Sequence, residues 1–114
     1  MAEVVKAGFI SDAIILELIG TSKISELRTN RTTVIELVTR AIAVKAKVVT
    51  SDFKESFDRE ILNYGHTFGH AVERHAKYSL RHGECVAIGM AFMAHLQLEL
   101  GLITDEVRDL HLTI

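Results

Sequence analysis

Residues 59–90 read REILNYGHTFGHAVERHAKYSLRHGECVAIGM, and four of the chain's six histidines fall inside them. His66 and His70 stand four apart, each directly after a glycine. On a helix that spacing puts both imidazoles on one face, about 5–6 Å apart at Cβ. His82 follows a short polar turn and opens an apolar run from Val86 to Leu100. Three histidines from two helices, with Glu73, Glu84 and Glu3 as candidate oxygen donors, have the composition of a divalent-metal site. Capping or surface histidines are the competing account of the same residues. The zinc-protease pattern HExxH is absent, because Thr67 stands where the general-base glutamate would follow His66.

Working outward, 114 residues suffice for one domain at most. A formal charge of −2 supplies no electrostatic reason to bind nucleic acid or an acidic membrane surface. Cys85 is alone, which excludes an intramolecular disulfide and suits a reducing compartment. No run reaches the roughly 18 apolar residues of a membrane span, and the opening MAEVVKAGF lacks the layout of a signal peptide. The expectation is a soluble, cytoplasmic protein with neither nucleic-acid nor membrane partners. The lack of proline and tryptophan, with only seven glycines, favours an all-α domain over a complete α/β enzyme. Both ends look cut, so the chain is expected to be a piece of something larger.

Apolar residues at Val4, Val5, Phe9, Ile10, Ile14, Ile15, Leu18 and Ile19 have helical spacing, with Ser11-Asp12 as a break and fresh N-cap. Gly20 to Arg31 is polar and mixed, pinned by Ile24 and Leu27 in a short turn or linker helix. From Thr32 to about Val49 the pattern predicts a helix whose β-branched residues lower its propensity, so that packing must hold it. A buried strand over Ala46–Thr50 competes there. Residues 50–59 form a charged connector. Thr67–Lys77 is predicted helical, and Gly69 inside it costs about 1 kcal/mol relative to alanine. A glycine there suits close approach of a neighbouring backbone or a ligand. His82–Leu100 is the strongest helix, with Gly101 as its C′ residue, and Thr104 starts a last one. No repeat, glycine-rich phosphate loop or Rossmann fingerprint is present, so this chain does not bind a dinucleotide by that route.

The chemical inventory is Arg59, Asn63, His66, His70 and His82. An arginine fork binds phosphate or carboxylate, an asparagine can donate to or accept from a hydroxyl, and a metal polarises a carbonyl or alkoxide. The set suits a small anionic, polyhydroxylated substrate. Lys6 and Lys45 would add positive charge if they faced inward; taken alone, each is an ordinary solvated surface residue.

The segment RxxLNYGHTFGHAVE, the block HGECVAIGM with its histidine sixteen residues after His66, and the opening MAEVVKAGF together resemble 3-dehydroquinate synthase. The resemblance runs from residue 1 to about residue 103. It implies part of that family's helical C-terminal, metal-binding domain, without the N-terminal NAD-binding domain. It implies conversion of 3-deoxy-D-arabino-heptulosonate 7-phosphate to 3-dehydroquinate with loss of phosphate, in the shikimate pathway, using NAD and Zn2+ or Co2+. Glu3, His66 and His82 match the family's metal ligands. His70 and Arg59 match substrate-phosphate contacts, and Asn63, Lys6 and Lys45 match residues holding the substrate's carboxylate and hydroxyls. Spacing alone pairs His66 with His70 as chelators, and the resemblance separates them. It also raises Glu3, which no periodicity marks, to a ligand. The implied mechanism is transient oxidation of a ring hydroxyl by NAD, phosphate elimination, re-reduction, ring opening and aldol closure, with the substrate's own phosphate as proton acceptor.

One departure is Phe57-Asp58 where the family has Gly-Leu before the arginine. Without the NAD-binding part, the chain is expected to be inactive alone, and the full enzyme to be a homodimer. The alternatives are a related sugar-phosphate cyclase, such as 2-epi-5-epi-valiolone synthase or 2-deoxy-scyllo-inosose synthase, and a non-enzymatic helical metal-binding module. The module would bind zinc tightly by itself, whereas a fragment of the enzyme is expected to bind it weakly at best, because its ligands come from separate elements.

Overall fold

The computed structural model describes residues 1–27, 29–51 and 60–114. Arg59, the Phe57-Asp58 departure, all but the first two residues of the 50–59 connector, and the side chain of Ile24 lie outside the described residues. Among the described residues there is no strand: seven α-helices and one 3-10 turn account for the regular structure. The all-α expectation holds, and the strand alternative at 46–50 is helix. The chain divides into two compact units, residues 3–62 with Met1 and residues 63–114 with Ala2.

In the first unit, α1 (Ala2–Ile10) stops at Ser11 and α2 (Ala13–Gly20) starts at once. The break comes from Asp12, whose Oδ1 accepts from the Ile14 amide at 3.2 Å and satisfies one of the new helix's orphan donors. Gly8 lets the two helices fold back closely, since a Cβ there would lie 2.6 Å from Leu16 Cδ2. After the single turn α3 (Ile24–Leu27), Asn30 Oδ1 accepts from the Thr33 amide and opens α4 (Arg31–Ser51). Ile15 and Ile19 on α2, Leu27 on α3, and Leu37 and Val44 on α4 are buried, spaced four apart along α2 and seven apart along α4. Arg40 on α4 reaches the second oxygen of Asp12 at 3.2 Å, so one carboxylate both caps α2 and ties it to α4. Asp12→Ala should cost about 1–2 kcal/mol, mostly the lost cap with a small ion-pair contribution. The urea midpoint reads this directly, and an unchanged midpoint would refute the double role.

The second unit opens with a 3-10 turn (Glu60–Asn63 straddles the boundary) and Gly65 at φ +76, where the chain turns into α5 (His66–His75). Lys77 and Tyr78 take left-handed backbone angles in the tight turn to α6 (His82–Glu99). At its start, Glu84 accepts from the Arg81 amide at 2.8 Å and pairs with the Arg81 guanidinium, which holds the Glu84 carboxyl below its ordinary pKa. At its end, Gly101 at φ +68 completes a Schellman motif: Leu102 N donates to Gln97 O and Gly101 N to Leu98 O, both at 2.9 Å. The chain then runs into α7 (Asp105–Thr113), which packs on α6.

The contact between α5 and α6 is built on three glycines. A Cβ on Gly69 would lie 2.8 Å from the Cys85 carbonyl oxygen, and one on Gly65 would lie 2.7 Å from Met90 Cγ. A Cβ on Gly89 would run into the Gly65 carbonyl. The helix penalty at Gly69 is therefore offset by backbone-to-backbone packing that no larger residue permits. Beside it lie the buried Cys85, Val86, Met90 and Ala94, and Phe68 stacks on Phe92 with ring centroids 3.9 Å apart.

α7 is docked through a half-buried histidine, His111. His111 Nδ1–H donates to the Val107 carbonyl at 2.8 Å, and its Nε2 accepts from the Tyr64 hydroxyl at 2.8 Å. Burial lowers the His111 pKa. Its folded pKa thus lies below the unfolded value of about 6.5, and the unfolded chain takes up the proton first as pH falls. The stabilisation is whole above about pH 6.5 and is lost as pH drops from there through the lowered folded value. Protection factors of the α7 amides, which divide out the intrinsic pH dependence of exchange, should fall over that window, and in His111→Gln they should not.

Candidate metal centre

The glycine-mediated packing brings three imidazoles together in the second unit. His66 begins α5, His70 lies one turn on, and His82 begins α6. Their ring centroids are separated by 5.4 Å (His66–His70), 5.4 Å (His66–His82) and 5.8 Å (His70–His82). Glu73, on the same face of α5 as His70, sends Oε2 to within 3.6 Å of His82 Nδ1. That is beyond a hydrogen bond, but it is close enough for the two groups to share an ion. One ligand atom each from His70, Glu73 and His82 falls within a sphere where all lie at most 4.8 Å apart. Imidazole nitrogen with a carboxylate oxygen suits zinc or another first-row transition metal rather than magnesium or calcium.

The orientation of His66 has a visible cause. Its Nδ1 lies 3.3 Å from the carbonyl of Tyr64. A carbonyl only accepts, so Nδ1 carries the proton and the lone pair is on Nε2, the arrangement common in metal-binding histidines. Desolvation raises the Tyr64 pKa, so the phenol that donates to His111 keeps its proton. Cys85 offers no competing chemistry: it is fully buried and desolvation pushes its thiol pKa up.

The whole chain, residues 1–114, matches the family model described as 3-dehydroquinate synthase C-terminal. The chain belongs to the 3-dehydroquinate synthase family. A 3-dehydroquinate synthase of Rhodococcus opacus is 52% identical over 114 residues, which cover 100% of this chain and 31% of the relative. One of Pseudarthrobacter chlorophenolicus is 53% identical, again over 100% of this chain and 31% of the relative. One of Mycolicibacterium gilvum is 46% identical over 100% of this chain and 32% of the relative. The chain thus spans about a third of the length of these 3-dehydroquinate synthases.

The residues matched to the 3-dehydroquinate synthase pattern are placed unequally. His66, His70 and His82 converge as above. Asn63 closes the 3-10 turn before them and is exposed. In the first unit, Glu3 sits in the first turn of α1, and its Oε2 lies 2.7 Å from the Lys6 ammonium. Lys6 corrects the expectation of a solvated lysine. It is only 6% exposed, and its Nζ also donates to the Leu62 carbonyl at 2.8 Å. Two partners are what a buried ammonium requires. Lys45 is exposed on α4, as an ordinary surface lysine would be. No sequence signal pointed to the Tyr64–His111 pair or to Gly89 as a contact glycine. Both depend on contacts 47 and 24 residues apart in the chain. Among the described residues no helix is long and apolar enough to cross a membrane.

Proposed function

We propose that this chain is the metal- and substrate-holding part of a cytoplasmic, homodimeric 3-dehydroquinate synthase that converts 3-deoxy-D-arabino-heptulosonate 7-phosphate to 3-dehydroquinate and phosphate. The observation that carries the reading is the convergence of His66, His70 and His82 in a chain matched end to end by the family. In this reading Glu3, His66 and His82 hold Zn2+ or Co2+, while His70 and Arg59 bind the substrate phosphate. When bound, the metal would polarise the hydroxyl to be oxidised, and NAD, held by a separate N-terminal domain, would accept and return the hydride.

This chain's own residues then hold and orient. His66 carries its lone pair on Nε2 because Nδ1–H is donated to Tyr64 O. Glu3 is oriented by Lys6, so the first task of that lysine is the ligand carboxylate. His70 is exposed and offers an N–H to a phosphate oxygen. Asn63 and Lys45 contribute polar contacts to the carboxylate and hydroxyls.

A chimaera tests this. Residues 1–114 replace the matched segment of the Rhodococcus opacus relative, and the product is assayed with two substrates. The expected result is phosphate release and 3-dehydroquinate from the heptulosonate phosphate, and none from sedoheptulose 7-phosphate. Turnover of the latter alone would assign the chain to another sugar-phosphate cyclase. A folded chimaera inert to both would overturn the reading.

A further inference from the structure

We propose that Tyr64 and His111 are positioning residues for His66, so that α7 takes part in presenting the metal-facing imidazole; this rests on the reading of His66 as a metal ligand. The argument is one of connected hydrogen bonds. Val107 O accepts from His111 Nδ1–H at 2.8 Å, which makes His111 Nε2 an acceptor, and the Tyr64 hydroxyl donates to it at 2.8 Å. The ring of Tyr64 is thereby held edge-on to His111, with centroids 5.9 Å apart and planes at 70°. The backbone carbonyl of the same tyrosine accepts the His66 Nδ1–H at 3.3 Å. Gly65, at φ +76 between them, makes the sharp turn that lets a carbonyl meet a ring two residues later. A 3.3 Å bond is long, and it holds a tautomer only if its acceptor is held still. The phenol, locked to a helix forty-seven positions away, does that. Groups that orient a ligating histidine commonly change metal affinity about 10–100-fold when removed.

The simpler role for the pair, a docking contact for α7 and nothing more, predicts lost α7 protection with His66 untouched. Nitrogen-15 imidazole spectra of the full 114-residue chain separate the two. Wild-type His66 should be the Nδ1–H tautomer. Tyr64→Phe, which removes one oxygen, should give a mixture with the Nε2–H form and, in the chimaera, a Co2+ affinity lowered about tenfold. His111→Leu should behave alike, His111→Gln should restore most of the affinity because its amide oxygen accepts the phenol proton, and the double variant should be no worse than either single. Unchanged tautomer and Co2+ affinity in both Tyr64→Phe and His111→Leu would overturn the proposal. Co2+ binding by the chimaera that is indifferent to His66→Ala would overturn the metal reading instead, while a tautomer shift in Tyr64→Phe would still support the Tyr64–His111 link.

Discussion

Gly89→Ala should destabilise the second unit by about 2 kcal/mol or more, although alanine is the better helix former by about 1 kcal/mol. The new Cβ would collide with the Gly65 carbonyl oxygen, lie 2.8 Å from Gly65 C and 3.0 Å from Gly69 N. All three are backbone atoms, so no side chain can rotate away and the two helices must separate. Overpacking of that kind costs about 1–3 kcal/mol and more where the neighbour is rigid. At about 4–8 °C per kcal/mol the melting temperature should fall by on the order of 10 °C. Gly20→Ala is the internal control. A Cβ there meets nothing within 4 Å, so the same substitution should be neutral or stabilising. If both variants melt with wild type, the glycine contact is not what holds α5 to α6. Because His66 and His70 ride on one helix and His82 on the other, Gly89→Ala should also weaken metal binding by more than its stability loss accounts for.

His66→Ala and His82→Ala should each lower zinc affinity on the order of a hundredfold or more, beyond the cost of losing a group that only orients a ligand. His82 has a side chain 49% exposed, so its removal leaves the core alone and the urea midpoint without metal should stay near wild type. Calorimetric titration of the chimaera with zinc reads the affinity, whereas a tight one-to-one site in residues 1–114 alone would favour the metal-binding module. His70→Ala serves as the discriminator: if His70 binds phosphate, zinc affinity stays within a few-fold and phosphate-analogue binding falls. The opposite pattern, zinc binding lost in His70→Ala and Glu73→Gln but kept in His66→Ala, would assign the metal to the cluster His70, Glu73 and His82 instead. Zinc bound equally well by His66→Ala and His82→Ala would sink the proposed ligand set.

Much of this was legible without coordinates, for reasons that differ from element to element. The Ser11-Asp12 break was readable because an N-cap acts over two or three residues, and Asp12 does cap Ile14. Gly101 was readable as a helix end because the left-handed angle it takes is a local property, here φ +68. The spacing of His66 and His70 anticipated neighbouring rings, and the centroids lie 5.4 Å apart. Which ring would face a metal and which a phosphate is not in the spacing. It came only from likeness to a family, since that choice depends on groups remote in sequence.

Lys6 marks the limit most clearly. By residue type it belongs in water, yet it is buried, because Leu62 and Glu3 supply an acceptor and a countercharge that no pattern around residue 6 announces. Local chemistry (caps, helical period, glycine angles, histidine spacing) was determined by the sequence alone, since each acts within a turn or two of chain. Only tertiary structure decided the α5–α6 approach at Gly65, Gly69 and Gly89 and the tie from His111 through Tyr64 to His66. Those are set by the meeting of distant backbones, and a carbonyl's position in space leaves no mark on the residues that carry it.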